Sequence, residues 1–165
     1  MGFAQIFVLV ILAFAVDALT WKNCDGSFPV KITEIKLSPD PLVLRKGARV
    51  TFGGKFKVAG DAGTQYKLHL SLKKKVWVWV PLPCIRNVGS CTYDIGCDKM
   101  KDLLVGAQCP LPIKAYTVNQ REKILTDISV PSFLSSGTYK IKADLIEKGS
   151  TRRIACLEAE LEIRH

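Results

Sequence analysis

The chain predicts an all-β fold, an immunoglobulin-like antiparallel sandwich stapled by disulfides, and three observations carry that prediction. Short segments in which apolar and polar residues alternate recur along the 165 residues, the period of strands with one face buried. Gly- and Pro-rich turns separate them at short intervals, and helical periodicity is almost absent. Six cysteines supply an even number of partners for cross-links, as in proteins matured in an oxidising compartment.

The first 18 residues, MGFAQIFVLVILAFAVDA, hold a continuous apolar run from Ile6 to Val16 and then small residues up to Ala18. That is the pattern of a secretory signal. The run is shorter than the roughly 20 apolar residues of a membrane span, and no second one follows. Cleavage after Ala18, with Ala15 as the alternative, leaves residues 19–165 as one domain with a sizeable core.

Trp21 to Gly26 reads as a turn-rich opening of that domain. Val30 to Leu37 is a first strand, broken by Ser38-Pro39-Asp40-Pro41. Leu42 to Leu44 is a short extended piece, and Arg49 to Val58 is a strand with a bulge or bend at Gly53-Gly54. Gln65 to Leu72 alternates cleanly, with Tyr66, Leu68, Leu70 and Leu72 on one face. Three lysines, Lys73 to Lys75, then lead into Val76-Trp77-Val78-Trp79-Val80, whose β-branched and aromatic composition fits a strand buried on both faces. Pro81 and Pro83 end that ladder and deliver the chain into a cysteine-rich loop.

Cys97 to Val105 has room for a turn or two of helix, stopped by Pro110 and Pro112. Lys123 to Val130 reads as another strand. The last two are the clearest: Thr138 to Glu147 and Arg153 to Arg164 each alternate apolar with charged residues, and Lys148-Gly149-Ser150 joins them as a hairpin. Parity puts Cys156 on the polar side of its strand, so that a bridge there would lash the opening segment to the outside of the sheet.

Sequence alone does not choose among the possible cysteine pairings. Proximity favours Cys84 with Cys91 and Cys97 with Cys109, which leaves Cys24 and Cys156 as a long-range clamp. The formal charge is +9. Without Asp17 in the leader, 24 basic side chains face 14 acidic ones, a net +10. Such a surface is drawn to anions; for a secreted chain these are membrane lipids, acidic glycans and acidic proteins. Nucleic acid is not expected, because no basic helical face or recognition motif is present.

The residues of catalysis are scarce. Of two histidines, His69 lies on the polar face of a strand with no ligand spacing around it, and His165 ends the chain, where fraying is expected. No nucleophile elbow, C-x-x-C, phosphate loop or H-E-x-x-H occurs. Glu158, Glu160 and Glu162 recur on one strand face as a solvated row. An enzyme, a metal centre and a cofactor are therefore not expected. Trp77 and Trp79 serve either the sandwich core or an apolar surface that lines a cavity or enters a membrane. Beside them, Lys73, Lys74 and Lys75 suit reversible contact with anionic lipid. Phe133 and Leu134, apolar in a loop between Pro131 and Gly137, need cover from packing or from lipid.

Eight separated features are carried in order by the mature chain: Trp21-x-Asn23-Cys24-Asp25, Trp79-x-x-x-Pro83-Cys84, Gly89-Ser90-Cys91-Thr92, Cys97-Asp98, Cys109-Pro110, Pro131-Ser132-x-Leu134, Gly137-x-Tyr139 and Cys156. Together they resemble the ML-domain lipid-recognition family, and most closely its lysosomal branch of glycolipid activators. The resemblance implies a β-cup, two splayed sheets around a hydrophobic cavity, with Cys24–Cys156, Cys84–Cys91 and Cys97–Cys109 as its bridges. It implies a non-enzymatic protein that lifts a ganglioside-like glycolipid from a membrane and presents it to a soluble hydrolase such as a lysosomal β-hexosaminidase. The other role it allows is recognition of a hydrophobic ligand on behalf of a receptor. Trp77, Trp79, Phe133, Leu134, Tyr139, Leu68 and Leu70 are then the expected cavity or lip residues. Phe133 stands where the activators carry Trp, and Ala115 to Lys123 lacks two cysteines that they have.

Overall fold

In a computed structural model, which describes residues 19–100, 104, 107–126 and 134–165, the chain forms two facing β-sheets. In chain order the strands are β1 (Thr20–Asn23), β2 (Val30–Ser38), β3 (Leu42–Val43), β4 (Arg49–Val58), β5 (Gln65–Lys75), β6 (Trp79–Leu82) and β7 (Thr92–Gly96). A single helical turn, α1 (Cys97–Met100), precedes β8 (Ala115–Ile124), β9 (Gly137–Glu147) and β10 (Arg153–Arg164). The larger sheet runs β1-β10-β9-β5-β6, with β7 paired to the first half of β5 and β3 paired parallel to the end of β10. The smaller sheet is β2-β4-β8, antiparallel throughout.

Residue alternation sets which face of each sheet turns inward. On the larger sheet the register aligns Leu68 with Leu145 and Ala155, Leu70 with Ala143 and Leu157, and Leu72 with Ile141 and Ala159. The opposite face is polar: Lys22 pairs with Glu158, Lys140 with Glu160, and both Lys142 and Arg153 with Asp144. On the smaller sheet Val30 faces Val58, and Ile32, Phe56 and Tyr116 stand in one row. The layers meet where β2 passes β10 and β3 passes β4. Disulfides join Cys24 to Cys156, Cys84 to Cys91 and Cys97 to Cys109.

Several expectations are corrected. Val76-Trp77-Val78-Trp79-Val80 is not a buried strand. The lysines extend β5 to Lys75, Val76 to Val78 form the bend of the β5–β6 hairpin, and Val76 N–H donates to Val78 C=O at 3.1 Å. Lys74 lies opposite Tyr139, close to the start of β9 at Gly137, so the tip beyond Lys75 projects past the neighbouring strand. Trp77 is 95% exposed there. Pro81 does not end the ladder but sits within β6, at the sheet edge where its missing N–H costs no pairing.

Of the strand expected at Lys123 to Val130, Lys123 and Ile124 are the end of β8, which begins at Ala115, and Leu125 and Thr126 lie beyond it. Its polar sequence hides it, because it is an edge strand with an outer face in water. The opening segment is also a strand. β1 pairs with β10 within the sheet, and Cys24 N–H donates to Cys156 C=O at 3.0 Å, so the clamp closes an edge instead of crossing the outside. Cys156 shares the polar face by parity yet is buried. His165 is not frayed: its N–H donates to the Ser136 hydroxyl at 3.2 Å, and its ring meets the carbonyl of Leu134. The leader, Asp127 to Val130 and Phe133 lie outside the described residues, as does most of the stretch from Lys101 to Val105.

A cavity between the sheets as the candidate functional site

The inward side chains form two clusters at opposite ends of the sandwich. One gathers Leu72, Leu82, Leu134, Tyr139, Leu161 and Ile163. The other gathers Val30, Val58, Ala62, Tyr66, Leu111, Tyr116 and Ile154 among its members, and it is not filled. A cavity of about 190 Å³ remains at its centre. Val30, Ile32, Phe56 and Val118 line it from the smaller sheet, Tyr66, Leu145, Ile154 and Ala155 from the larger, and Ala62, Leu104 and Leu111 from connecting segments. Phe56 and Tyr116 stack beside it with ring centroids 5.1 Å apart.

Two phenol hydroxyls beside this space are held by backbone carbonyls. The Tyr66 hydroxyl donates to Gly63 C=O at 2.7 Å and the Tyr116 hydroxyl to Pro112 C=O at 2.9 Å. Burial pushes both phenols above their ordinary range, with Asp61 adding to the shift at Tyr66. Around the closed end, Arg152 grips Glu147 through Nη2 at 2.8 Å and Nε at 3.0 Å, and reaches the Asp61 carbonyl at 2.9 Å. These bonds fasten the β9–β10 hairpin to the loop that carries Ala62. The apolar lining accepts hydrocarbon, and the volume exceeds the ~150 Å³ that admits benzene.

The expected site residues are dispersed. Leu68 and Leu70 continue the inner face of β5 from Tyr66 and are half-buried, outside the enclosed volume. Tyr139 and Leu134 belong to the packed cluster at the other end. Trp79 faces outward, its ring 4.5 Å from Lys140 Nζ and 5.7 Å from Lys75 Nζ, while Trp77 is at the hairpin tip. Neither tryptophan lines the cavity. Lys73 and Lys75 lie on the outer face, and Lys74 is on the inner one. His69 lies on the polar face, its Nδ1 2.9 Å from the Thr92 hydroxyl. None of the residues that line the cavity was among the expected site residues; the alternation of Tyr116 with Val118 was an available signal for β8. Among the described residues no three His, Cys, Asp or Glu side chains gather to hold a metal.

The profile of the ML domain matches residues 18–163. The ganglioside GM2 activator of Macaca fascicularis is 27% identical over 187 aligned residues, covering 98% of this chain and 96% of that protein. The ganglioside GM2 activator of Mus musculus is 29% identical over 161 residues, covering 88% and 81%. Among solved structures, a Niemann-Pick type C2 protein from the Japanese carpenter ant superposes with a TM-score of 0.48 at 17% identity, covering 88% of this chain and 99% of that one. With the family profile spanning nearly the whole sandwich, the chain belongs to the ML-domain family.

Proposed function

We propose that this protein binds the hydrocarbon of a membrane lipid between its two sheets and carries it as a soluble complex. The observation that supports this most directly is the apolar cavity beneath Tyr66, Phe56 and Ile154. Each methylene removed from water there gains about 0.8 kcal/mol. Ligand pockets usually hold about 300–1,000 Å³. The cavity therefore takes the end of one tail, and the half-buried rows at Leu68 and Leu70 take more of it.

In our reading the lipid is a glycolipid of the ganglioside class, presented to a soluble hydrolase without chemistry by this chain, in the secretory or lysosomal lumen after loss of residues 1–18. Similarity to two proteins named as ganglioside GM2 activators supports the class. The partner would be an enzyme of the β-hexosaminidase type. The hairpin tip would touch the membrane, with exposed Val76, Trp77 and Val78 entering the interface and Lys73 and Lys75 meeting anionic head groups. Phe133 would contribute to the lip.

Native mass spectrometry of the protein recovered from ganglioside-containing vesicles, with transfer to acceptor vesicles followed at lysosomal and neutral pH, tests this reading. A lipid adduct and transfer in acid are expected. Recovery of bare protein alone contradicts it, and so does transfer confined to neutral pH.

A further inference from the structure

Lys74 projects from the same face of β5 as Leu70 and Leu72, whereas Lys73 and Lys75 project outward. Its place is built for it. The chain opposite supplies Gly137, at φ +150°, where a Cβ would stand 3.2 Å from the Lys74 Cε. Tyr139 lies beneath, its ring centroid 5.5 Å from Nζ. The ammonium donates to the Ser135 carbonyl at 3.3 Å and to the Ser135 hydroxyl. Lys140 and Lys142 on the outer face have carboxylate partners. The contacts of Lys74 among the described residues are with neutral groups alone.

We propose that Lys74 marks the head-group end of the bound lipid and selects a lipid whose head group is anionic. This rests on the lipid-binding reading above. An ammonium held by neutral acceptors gains by exchanging one of them for an anionic oxygen, since the charge-assisted bond is the stronger. Tyr66, at the cavity, stands eight residues away on the same strand face, roughly 27 Å at the usual rise. Leu68, Leu70 and Leu72 lie between. A lipid anchored by phosphate or carboxylate at Lys74 directs its tail along that row towards the cavity, and its head beside the exposed hairpin tip.

Vesicles that mix phosphatidylglycerol and phosphatidylcholine of identical acyl chains present both lipids on one surface, so long-range attraction is common to both. By native mass spectrometry, protein recovered from them carries the anionic lipid in about tenfold excess. Lys74→Gln brings the ratio near unity and Lys74→Arg retains it. Lys73→Gln and Lys75→Gln remove the same charge from the outer face and keep the ratio, whatever the total uptake. An unchanged ratio in Lys74→Gln, or equal loss in all three glutamine variants, overturns the proposal. Wild-type protein carrying both lipids equally overturns it and leaves the cavity reading standing; wild-type protein carrying neither overturns both.

Discussion

The side-chain amide of Asn23, on the edge strand of the larger sheet, holds both backbone polar groups of Ile32 on the smaller one: Nδ2 donates to Ile32 C=O at 2.8 Å, and Ile32 N–H donates to Oδ1 at 3.0 Å. Ile32 is where β2 slips register against β4, before Glu34. The bond therefore ties the two layers together at a bulge, on the side where they meet, and leaves the cavity edge of Ile32 free to face hydrocarbon.

Asn23→Ala leaves the N–H and C=O of Ile32 without these partners in a half-buried place. We expect a loss of about 1–3 kcal/mol, read as a lower urea midpoint with an unchanged slope. Asn23→Asp keeps the acceptor and loses the donor, and should fall between the two. Equal stability of Asn23→Ala and the wild type would mean that the sheets are joined by other contacts.

The Cys24–Cys156 bridge closes a separation of 132 residues and the Cys84–Cys91 bridge one of 7. Because a cross-link restricts the unfolded chain more when its loop is longer, replacing both Cys24 and Cys156 by Ser should cost about 2–5 kcal/mol. Replacing Cys84 and Cys91 should cost less. Thermal melts of the two double variants in parallel check the order, and the reverse order would show that local strain outweighs chain entropy.

Hydrogen bonds from Arg152 and then Ser150 hold the Glu147 carboxyl below its ordinary value. A depressed folded-state value means stabilisation that is complete above the unfolded value, about 4.3 for Glu, and is lost as pH falls through the lower, folded one. Wild type and Glu147→Gln should thus differ in denaturant midpoint at neutral pH and converge in strong acid. A gap that widens on acidification would contradict the assignment.

Trp77 and Trp79 separate two roles. Trp77→Ser, at a 95% exposed position, should leave the melting temperature unchanged and slow lipid extraction from vesicles several-fold. Trp79→Ala removes the ring flanked by Lys140 and Lys75 and should cost about 0.5–1 kcal/mol of stability, the worth of an exposed cation–π contact. If Trp77→Ser extracts lipid at the wild-type rate, the hairpin tip does not enter the membrane.

The strands that sequence reasoning placed well, β2, β4, β5, β9 and β10, each turn one face inward, as the alternation of Tyr66, Leu68, Leu70 and Leu72 shows. β8 was displaced because its apolar pair, Tyr116 and Val118, is followed by five polar residues, Asn119 to Lys123. Val76 to Val80 was misread for the opposite reason. Composition reports a fit to a pleated surface, and it does not report whether a neighbouring strand reaches that far. Lys74 was grouped with two neighbours that point the other way, a difference of parity visible only once β5 was known to run through Lys75. The cavity itself was not legible from alternation, which says that Phe56 and Ile154 turn inward and not how closely they meet.

Filling that space tests the central claim most directly. Ala155 lines the cavity from the larger sheet, and Ala155→Phe places a ring inside it at a packing cost of about 1–3 kcal/mol. In native mass spectrometry after incubation with vesicles, the folded variant, its disulfides intact, should carry at least tenfold less lipid than the wild type, the loss expected when one tail is excluded. A folded Ala155→Phe protein that carries as much lipid as the wild type would show that hydrocarbon is not held between the sheets.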